Sequence, residues 1–295
     1  MGAGAVVETV PAKLNLTLRV VGRRADGYHE LESLVAFAGC GDRLTARPAA
    51  ELSLEITGPF AAALHDAGSG NLVLRAARLL AQTAGVAERA VLTLEKRLPV
   101  AAGLGGGSAD AAAALRLLQR LWSLGLPEPR LQALAAELGA DVPVCLLGRP
   151  AMMRGVGERL EPLPALPPAW LVLANPGVAL GTPEVFRARS GAFSGAGPLW
   201  ETPPRTAAEL ADCLRRSAND LEPAARTLCP EIGEVLGTLE RNPGCLLSRM
   251  SGSGASCFGL FAGREEAEAA ARRLRAAQPD WWVQAAPLLT GGSEP

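Results

Sequence analysis

The chain reads as an α+β protein, helices layered on sheet, and three stretches carry that expectation. Residues 90–95 alternate, with Val91 and Thr93 on one side and Leu92 and Leu94 on the other, which is the period of a strand. Next come four glycines in five positions (Gly103, Gly105, Gly106 and Gly107) and an Ala- and Leu-rich run that fits only a helix. Near the end, SRMSGSGASCFGLFAG (248–263) puts a glycine loop ahead of an apolar strand; a helix over 264–277 and a strand over 281–286 complete a β-α-β pattern. A Pro-rich connector, LEPLPALPPAW (160–170), is the expected boundary, giving domains of 1–163 and 164–295.

In chain order, Leu14, Leu16, Leu18 and Val20 alternate with Asn15, Thr17 and Arg19 as a half-buried strand. Lys13, just after Pro11, and Asn15 project from its polar face. Asp26-Gly27 is a turn signal that brings Tyr28 and His29 to a loop tip. That pair suits recognition of a planar heterocycle, and equally a ring packed on a hairpin; these residues alone leave both open. Alternation returns over 44–57. Residues 71–84 form an amphipathic helix with Asn71 as N-cap and Gly85 as stop. Ser108 is the expected N-cap of the helix after the glycines, with Asp110 in its first turn. A helix over 129–138 ends at Gly139, and Asp141 follows, either turning the chain before Pro143 or facing a site. MRGVGE (153–158) is a second glycine turn, and a buried strand over 170–174 leads to NPGVALGTPEVF (175–186). Residues 187–205, rich in Gly, Ser and Pro, form a mobile loop. Helices follow over 207–216 and 222–240, and residues 291–295 are expected to fray.

Composition narrows the function classes. The 29 basic and 30 acidic residues nearly cancel, which offers nothing to a polyanion, so no nucleic-acid partner is expected. Apolar runs stop well short of the ~20 residues of a membrane span. Six scattered cysteines without a CxxC pair read as reduced thiols in a cytoplasmic protein, and two histidines, His29 and His65, exclude a histidine-rich metal site. Only two of the 29 basic residues are lysines, Lys13 and Lys96, and Tyr28 is the sole tyrosine. Arg cannot replace a compact ammonium at a tight site, so these positions draw notice.

Strand, glycine-rich loop and helix N-terminus together make an anion site, because converging amides point at whatever binds there. A phosphate chain is the natural ligand; a tight turn capping a buried helix is the other reading of the same residues. The Walker loop is excluded, since no Lys follows the glycines, and a Rossmann fingerprint would open the first βαβ unit.

PAKLNLTL (11–18), DGYHEL (26–31), PVAAGLGGGSADAA (99–112), GADVPV (139–144), NPGVALGTPEVF and SGSGASCFGLF (251–261) occur together in that order. The set resembles the small-molecule kinases named for galactokinase, homoserine kinase, mevalonate kinase and phosphomevalonate kinase, the GHMP kinases. DGYHEL and the TPEVF segment resemble the branch that acts on the cytidine-diphosphate derivative of methylerythritol in the non-mevalonate route to isoprenoids. The resemblance implies a GHMP-kinase fold: an N-terminal domain with a left-handed βαβ unit (ribosomal S5 domain 2-like), a ferredoxin-like C-terminal domain, and the substrate cleft between them. It implies transfer of the ATP γ-phosphoryl group to the substrate's 2-hydroxyl, with Lys13 and Asp141 as the catalytic pair. ATP would lie on Pro99, Val100, Ala101, Ala102, Gly103, Leu104, Gly105, Gly106, Gly107, Ser108 and Ala109, with Lys96 and Asn71 at its adenosine end. Mg2+ would accompany ATP, with Ser108 the candidate protein ligand. Tyr28 and Phe186 would sandwich the cytosine and His29 would hydrogen-bond to it, while Asn15, Thr182 and Pro183 would lie near the erythritol and diphosphate. The expected partner is this small molecule, for a monomer or homodimer. Ala101, Ala102 and Ala109 depart from relatives, which often carry glycines at the first two and a second serine at the third. A sister kinase for mevalonate or homoserine would not need the base-recognising set, and a non-catalytic nucleotide sensor would not need both Lys13 and Asp141.

Overall fold

The protein is described here by a computed structural model covering residues 4–291, so the end expected to fray lies, from residue 292, outside the described residues. β1 (Val6–Asn15) and β2 (Arg19–Arg23) precede a long β3 (His29–Arg47) and a short β4 (Ser53–Thr57). α1 (Leu72–Ala84), β5 (Val91–Glu95), α2 (Gly106–Leu121), α3 (Glu128–Leu138) and α4 (Val142–Leu147) follow. Then come β6 (Ala151–Gly155), β7 (Arg159–Pro162), β8 (Trp170–Asn175), α5 (Thr182–Ala188), α6 (Ala207–Arg215), α7 (Glu222–Leu228) and α8 (Glu231–Glu240). β9 (Cys245–Met250), β10 (Cys257–Phe261), α9 (Arg264–Ala277) and β11 (Trp282–Leu289) complete the α+β fold.

The chain forms two compact units that do not divide at residue 163. One contains the segment ending at Ala12, Gly41–Val100 and Gly105–Leu147; the other contains Lys13–Cys40, Ala101–Leu104 and the chain from Gly148 on. The Pro-rich connector therefore lies within the second unit.

In the first unit β4 and β5 pair in parallel, Ser53 opposite Val91 through Thr57 opposite Glu95, with α1 as the crossover. β5 pairs antiparallel with residues 43–47 of β3. Asn71 caps α1 as its sequence requires, Oδ1 accepting from the Val73 amide at 2.9 Å, and Gly85 ends it in the left-handed region at φ 66°. Val73, Ala76, Ala77, Leu80 and Ala81 form its buried stripe, and α1 packs on α2, whose buried face is mostly alanine. Small side chains there let the helices lie close.

In the second unit four antiparallel strands run in the order β11-β8-β10-β9. With α8 leading into β9 and α9 joining β10 to β11, this is the ferredoxin-like arrangement. Val172, Val235, Leu239, Phe261 and Leu274 lie in its core. β2 and β3 form a hairpin across the Asp26-Gly27 turn, and β6 pairs with residues 31–35 of β3.

Four expectations change. Both faces of β1 are covered around Lys13 and Asn15, which are 3% and 2% exposed, so the polar face of this strand is interior. α2 starts three residues early: its N-cap is Gly105, Ser108 lies inside the first turn, and no acidic residue occupies that turn. The helix expected over 222–240 is two, α7 and α8, because Pro230 has no amide to continue the first. Residues 187–205 are irregular apart from the end of α5, but they are pinned: the Ser194 amide donates to the Val20 carbonyl at 2.9 Å.

The turn between α6 and α7 holds the loop after β9. Asn219, 2% exposed, donates from Nδ2 to the Met250 and Gly252 carbonyls at 2.9 and 2.8 Å and accepts from the Leu221 amide at 3.0 Å. Truncation strands these groups in the interior. We expect Asn219→Ala to lower unfolding free energy by about 3 kcal/mol in urea titration; a loss under about 1 kcal/mol contradicts this role.

Candidate functional site

The glycine-rich loop alternates in backbone hand. Ala101, Gly103 and Gly105 have φ of 52°, 74° and 62°, and the residues between them are not left-handed. Alternation of this kind turns successive amides toward one side, forming an anion-binding nest. Ala101 occupies a region that glycine prefers, at a cost of about 1 kcal/mol. At Gly103 no side chain is possible, because a Cβ would stand 2.4 Å from the Ser251 carbonyl oxygen.

Three consecutive carbonyls of this loop are captured from behind, within the second unit. Ala102 accepts from the Ser256 amide at 3.2 Å, and Leu104 from the Lys13 amide at 3.0 Å. Between them Gly103 accepts from Ser251 Oγ at 2.9 Å. Ser251 Oγ in turn accepts from the Asn15 amide at 3.1 Å. The Asn15 side chain accepts from Lys13 Nζ at 3.0 Å and donates to Ser33 Oγ at 2.7 Å. The ammonium of Lys13 is thus aimed by the strand that also fixes the loop. Thr182 and Ser253 share a hydrogen bond of 2.7 Å, which joins the start of α5 to the same 251–256 loop.

In the first unit α2 leaves amides unbonded at its start. Its first bonded amide is that of Ala109, donating to Gly105 at 2.9 Å, so the amides of Gly106, Gly107 and Ser108 precede the helical ladder. The macrodipole adds positive potential there. Ser108 brings a half-buried hydroxyl, and Gly107 is exposed. Pro99 and Val100 lead in, and Asn71, half-buried, caps α1. Asp141, half-buried, stands one residue before α4 and starts its turn, its carbonyl accepting from the Cys145 amide at 3.2 Å.

Below the loop's ends lies a charge triad that the sequence did not announce. Lys96 Nζ donates to Asp42 Oδ2 at 2.5 Å and to Asp110 Oδ2 at 2.8 Å, and the three side chains are at most 3% exposed. Asp42 Oδ1 also accepts from the amides of Arg97 and Leu98 at 2.6 and 2.9 Å. Lys96, expected at the adenosine end, directs its ammonium into this triad. Two carboxylates and one ammonium leave a buried net charge of −1, which a single proton would neutralise. Burial pushes the Asp110 carboxyl up to about 7, against the pull of Lys96. Burial also works against the Lys96 ammonium, but the two carboxylates outweigh it and its pKa is raised. The proton falls to Asp110, whose Oδ1 has no hydrogen-bond partner among the described residues, whereas Asp42 has three donors.

The remaining residues gather at the β2–β3 hairpin. Tyr28 is 66% exposed beside the turn, where its amide donates to Asp26 Oδ1 at 3.1 Å. His29 stacks on Phe186 of α5, ring centroids 5.1 Å apart at 28°. Burial, then the charges of Arg23 and Arg189, lower the His29 pKa. A neutral imidazole has one donor and one acceptor nitrogen, which suits a heterocyclic edge. Thr182 and Pro183 are exposed at the start of α5. Among the described residues no group of three or more His, Cys, Asp or Glu could hold a metal ion. One hydroxyl, Ser108, fits Mg2+ only as a supplement to phosphate oxygens and water.

Sequence reasoning missed Ser251, Ser256, Asp42 and the pairing of Asp110. SGSGAS was visible as a glycine loop, but nothing in its composition says that its hydroxyls and amides serve another loop.

Two family models match the chain. The GHMP kinases N terminal domain matches residues 71–149 and the GHMP kinases C terminal domain matches residues 202–280. A 4-diphosphocytidyl-2-C-methyl-D-erythritol kinase of Paramagnetospirillum magneticum is 59% identical over 95% of this chain and 97% of its own length. A crystal structure of 4-(cytidine 5'-diphospho)-2C-methyl-D-erythritol kinase superposes with TM-score 0.79 at 42% identity, covering 98% of this chain and 100% of that one. A homoserine kinase from Cytophaga hutchinsonii, at 18% identity over 98% of this chain and 96% of that one, TM-score 0.73, shares the fold.

The triad makes stability depend on pH. Because the folded Asp110 carboxyl titrates at about 7 and the ordinary value is 3.8, the fold binds the extra proton between them. For this group stability is then greatest below that window and falls as pH rises through it. Asp110→Asn removes the titration, so its Tm relative to the parent should improve from about pH 5 to about pH 8. Parallel Tm curves for the two proteins would refute the raised pKa of Asp110.

Proposed function

The chain belongs to the GHMP kinases and, within them, to the 4-diphosphocytidyl-2-C-methyl-D-erythritol kinase family, and on that footing we propose how its residues divide the work. It is an ATP-dependent kinase that phosphorylates the 2-hydroxyl of 4-diphosphocytidyl-2-C-methyl-D-erythritol in isoprenoid precursor synthesis. The observation that carries the residue assignment is the capture of the Ala102, Gly103 and Leu104 carbonyls, which supports an amide-lined cradle for the ATP phosphates.

The substrate hydroxyl oxygen attacks the γ-phosphorus, the bond from that phosphorus to the β-bridging oxygen breaks, and ADP leaves. Asp141 accepts the hydroxyl proton or orients the hydroxyl. Lys13, its ammonium oriented by Asn15, stabilises charge on the transferring group. The loop and the start of α2 bind the phosphate chain; Mg2+ accompanying ATP would supply charge neutralisation there, and the Ser108 hydroxyl would be its protein ligand. Tyr28 and Phe186 enclose the cytosine, neutral His29 hydrogen-bonds to its edge, and Asn15, Thr182 and Pro183 border the erythritol diphosphate. Asn71 and the Lys96 segment flank the adenosine. We place the protein in the cytoplasm, where its small-molecule substrates are found. Among the described residues no helix is long and apolar enough to cross a membrane.

A kinase for mevalonate or homoserine keeps Lys13 and the loop but has no use for Tyr28, His29 and Phe186 together. Asp141→Asn decides between an enzyme and a nucleotide sensor. Turnover should fall by about 10²-fold or more while ATP affinity, measured by calorimetry, stays within about twofold. Near-normal turnover would remove Asp141 from the mechanism.

A further inference from the structure

Glu32 is buried, 4% exposed, three residues along β3 from His29, and no step above uses it. Its strand register sets Arg19 of β2 opposite it on one side and Arg154 of β6 on the other. Oε1 accepts from Arg19 Nη1 at 3.0 Å, and Oε2 from Arg154 Nε at 3.1 Å. A third donor is the Gly197 amide at 3.3 Å to Oε1. Arg19 Nη1 also donates to the Gly197 carbonyl at 2.9 Å, while its Nε donates to Ser217 Oγ at 3.0 Å. The Glu32–Arg19 pair therefore grips both polar groups of one peptide residue in the irregular segment after α5. That segment has a second backbone tie, Ser194 to Val20, and buries Leu199 at 7% exposure.

The gripped segment is short on its upstream side. Eight residues, 189–196, separate the end of α5 from Gly197, and α5 carries Phe186, whose ring lies on His29. Glu32 thus holds the strand that presents His29 and, through Gly197, the strap that leads back to Phe186. Charged hydrogen bonds at a site this dry are stronger than neutral ones, and a carboxylate between two guanidiniums is well matched to the task.

We propose that Glu32, with Arg19, is a positioning residue for substrate recognition, clamping the 189–206 strap so that Phe186 and His29 stay in register for the cytosine ring. The ligand assignment rests on the function proposed above; the clamp itself does not. Arg154 provides the control. It bonds the same carboxylate, its side-chain hydrogen bonds among the described residues go to Glu32 and Glu161 and not to the strap, and Glu161 remains its partner at 2.5 Å. A merely structural role for Glu32 would make Glu32→Ala and Arg154→Ala behave alike.

The test is steady-state kinetics on the full chain, with the concentrations of ATP and of diphosphocytidyl-methylerythritol varied in turn, together with limited trypsin digestion of the free protein. Glu32→Ala should raise KM for the cytidyl substrate about tenfold, with kcat and KM for ATP within about twofold, and Arg154→Ala should leave all three near the parent values. Cleavage after Arg189 or Arg205 should quicken in Glu32→Ala and not in Arg154→Ala. Should Glu32→Ala fail to fold by circular dichroism, Arg19→Met, which releases the Gly197 carbonyl, carries the same expectation. An unchanged cytidyl KM, an equal rise in both KM values, or an Arg154→Ala protein that matches Glu32→Ala overturns the proposal. If the parent protein does not turn over this substrate but Glu32→Ala still quickens strap cleavage, the functional reading fails and the clamp stands.

Discussion

A peptide segment can offer its amides to an anion only if its carbonyls are satisfied elsewhere. In this protein that requirement falls on Ala102, Gly103 and Leu104, and it is met by one hydroxyl and two amides from β1 and the 251–256 loop. Much of the second unit's geometry serves this exchange. β1 delivers the Lys13 amide to the loop and the Asn15 amide to Ser251, and Asn219 holds the carbonyls of Met250 and Gly252. Lys13 contributes its amide to the loop and its ammonium to Asn15, so the residue proposed to stabilise transferring charge also sets where the loop lies. Loss of register in one would be felt in the other.

Burial of charge is the second organising constraint. Lys13 and Lys96 are the chain's only lysines, and both are almost fully interior, at 3% and 2% exposure. Surface positive charge is carried by arginine, while an ammonium is kept where a compact cation with several donors must fit among acceptors. A planar guanidinium could not lie between Asp42 and Asp110 at the observed distances. The triad joins β3, the exit of β5 and the first turns of α2, so it fixes both ends of the glycine loop without contacting solvent.

Elements whose amphipathicity matches their period were legible. α1 appears where capping and periodicity put it, α9 spans the expected 264–277, and the glycine loop follows its strand. β3 was not read over its first half because Leu34–Ala38 is buried on both faces, which removes the alternation that marks a strand. Ser108 looked like an N-cap because hydroxyls favour that position, but Gly105 in the left-handed region starts the helix sooner. Candidate residues were legible where their type was rare, as with Lys13, Lys96 and Tyr28. Ser251, Asp42 and Glu32 were not, since common residue types gain their roles only from distant partners that no local pattern encodes.

The proposed phosphate cradle and the proposed base-recognising hairpin rest on separate devices, a carbonyl-capturing loop and a Glu32-held strap; one serves ATP and the other the acceptor, which predicts selectivity for the cytidyl compound. Coupled ADP release measured in parallel with diphosphocytidyl-methylerythritol, mevalonate and homoserine tests it most directly. ADP should form with the cytidyl substrate alone. Comparable release with mevalonate or homoserine, or none with the cytidyl substrate, would contradict it.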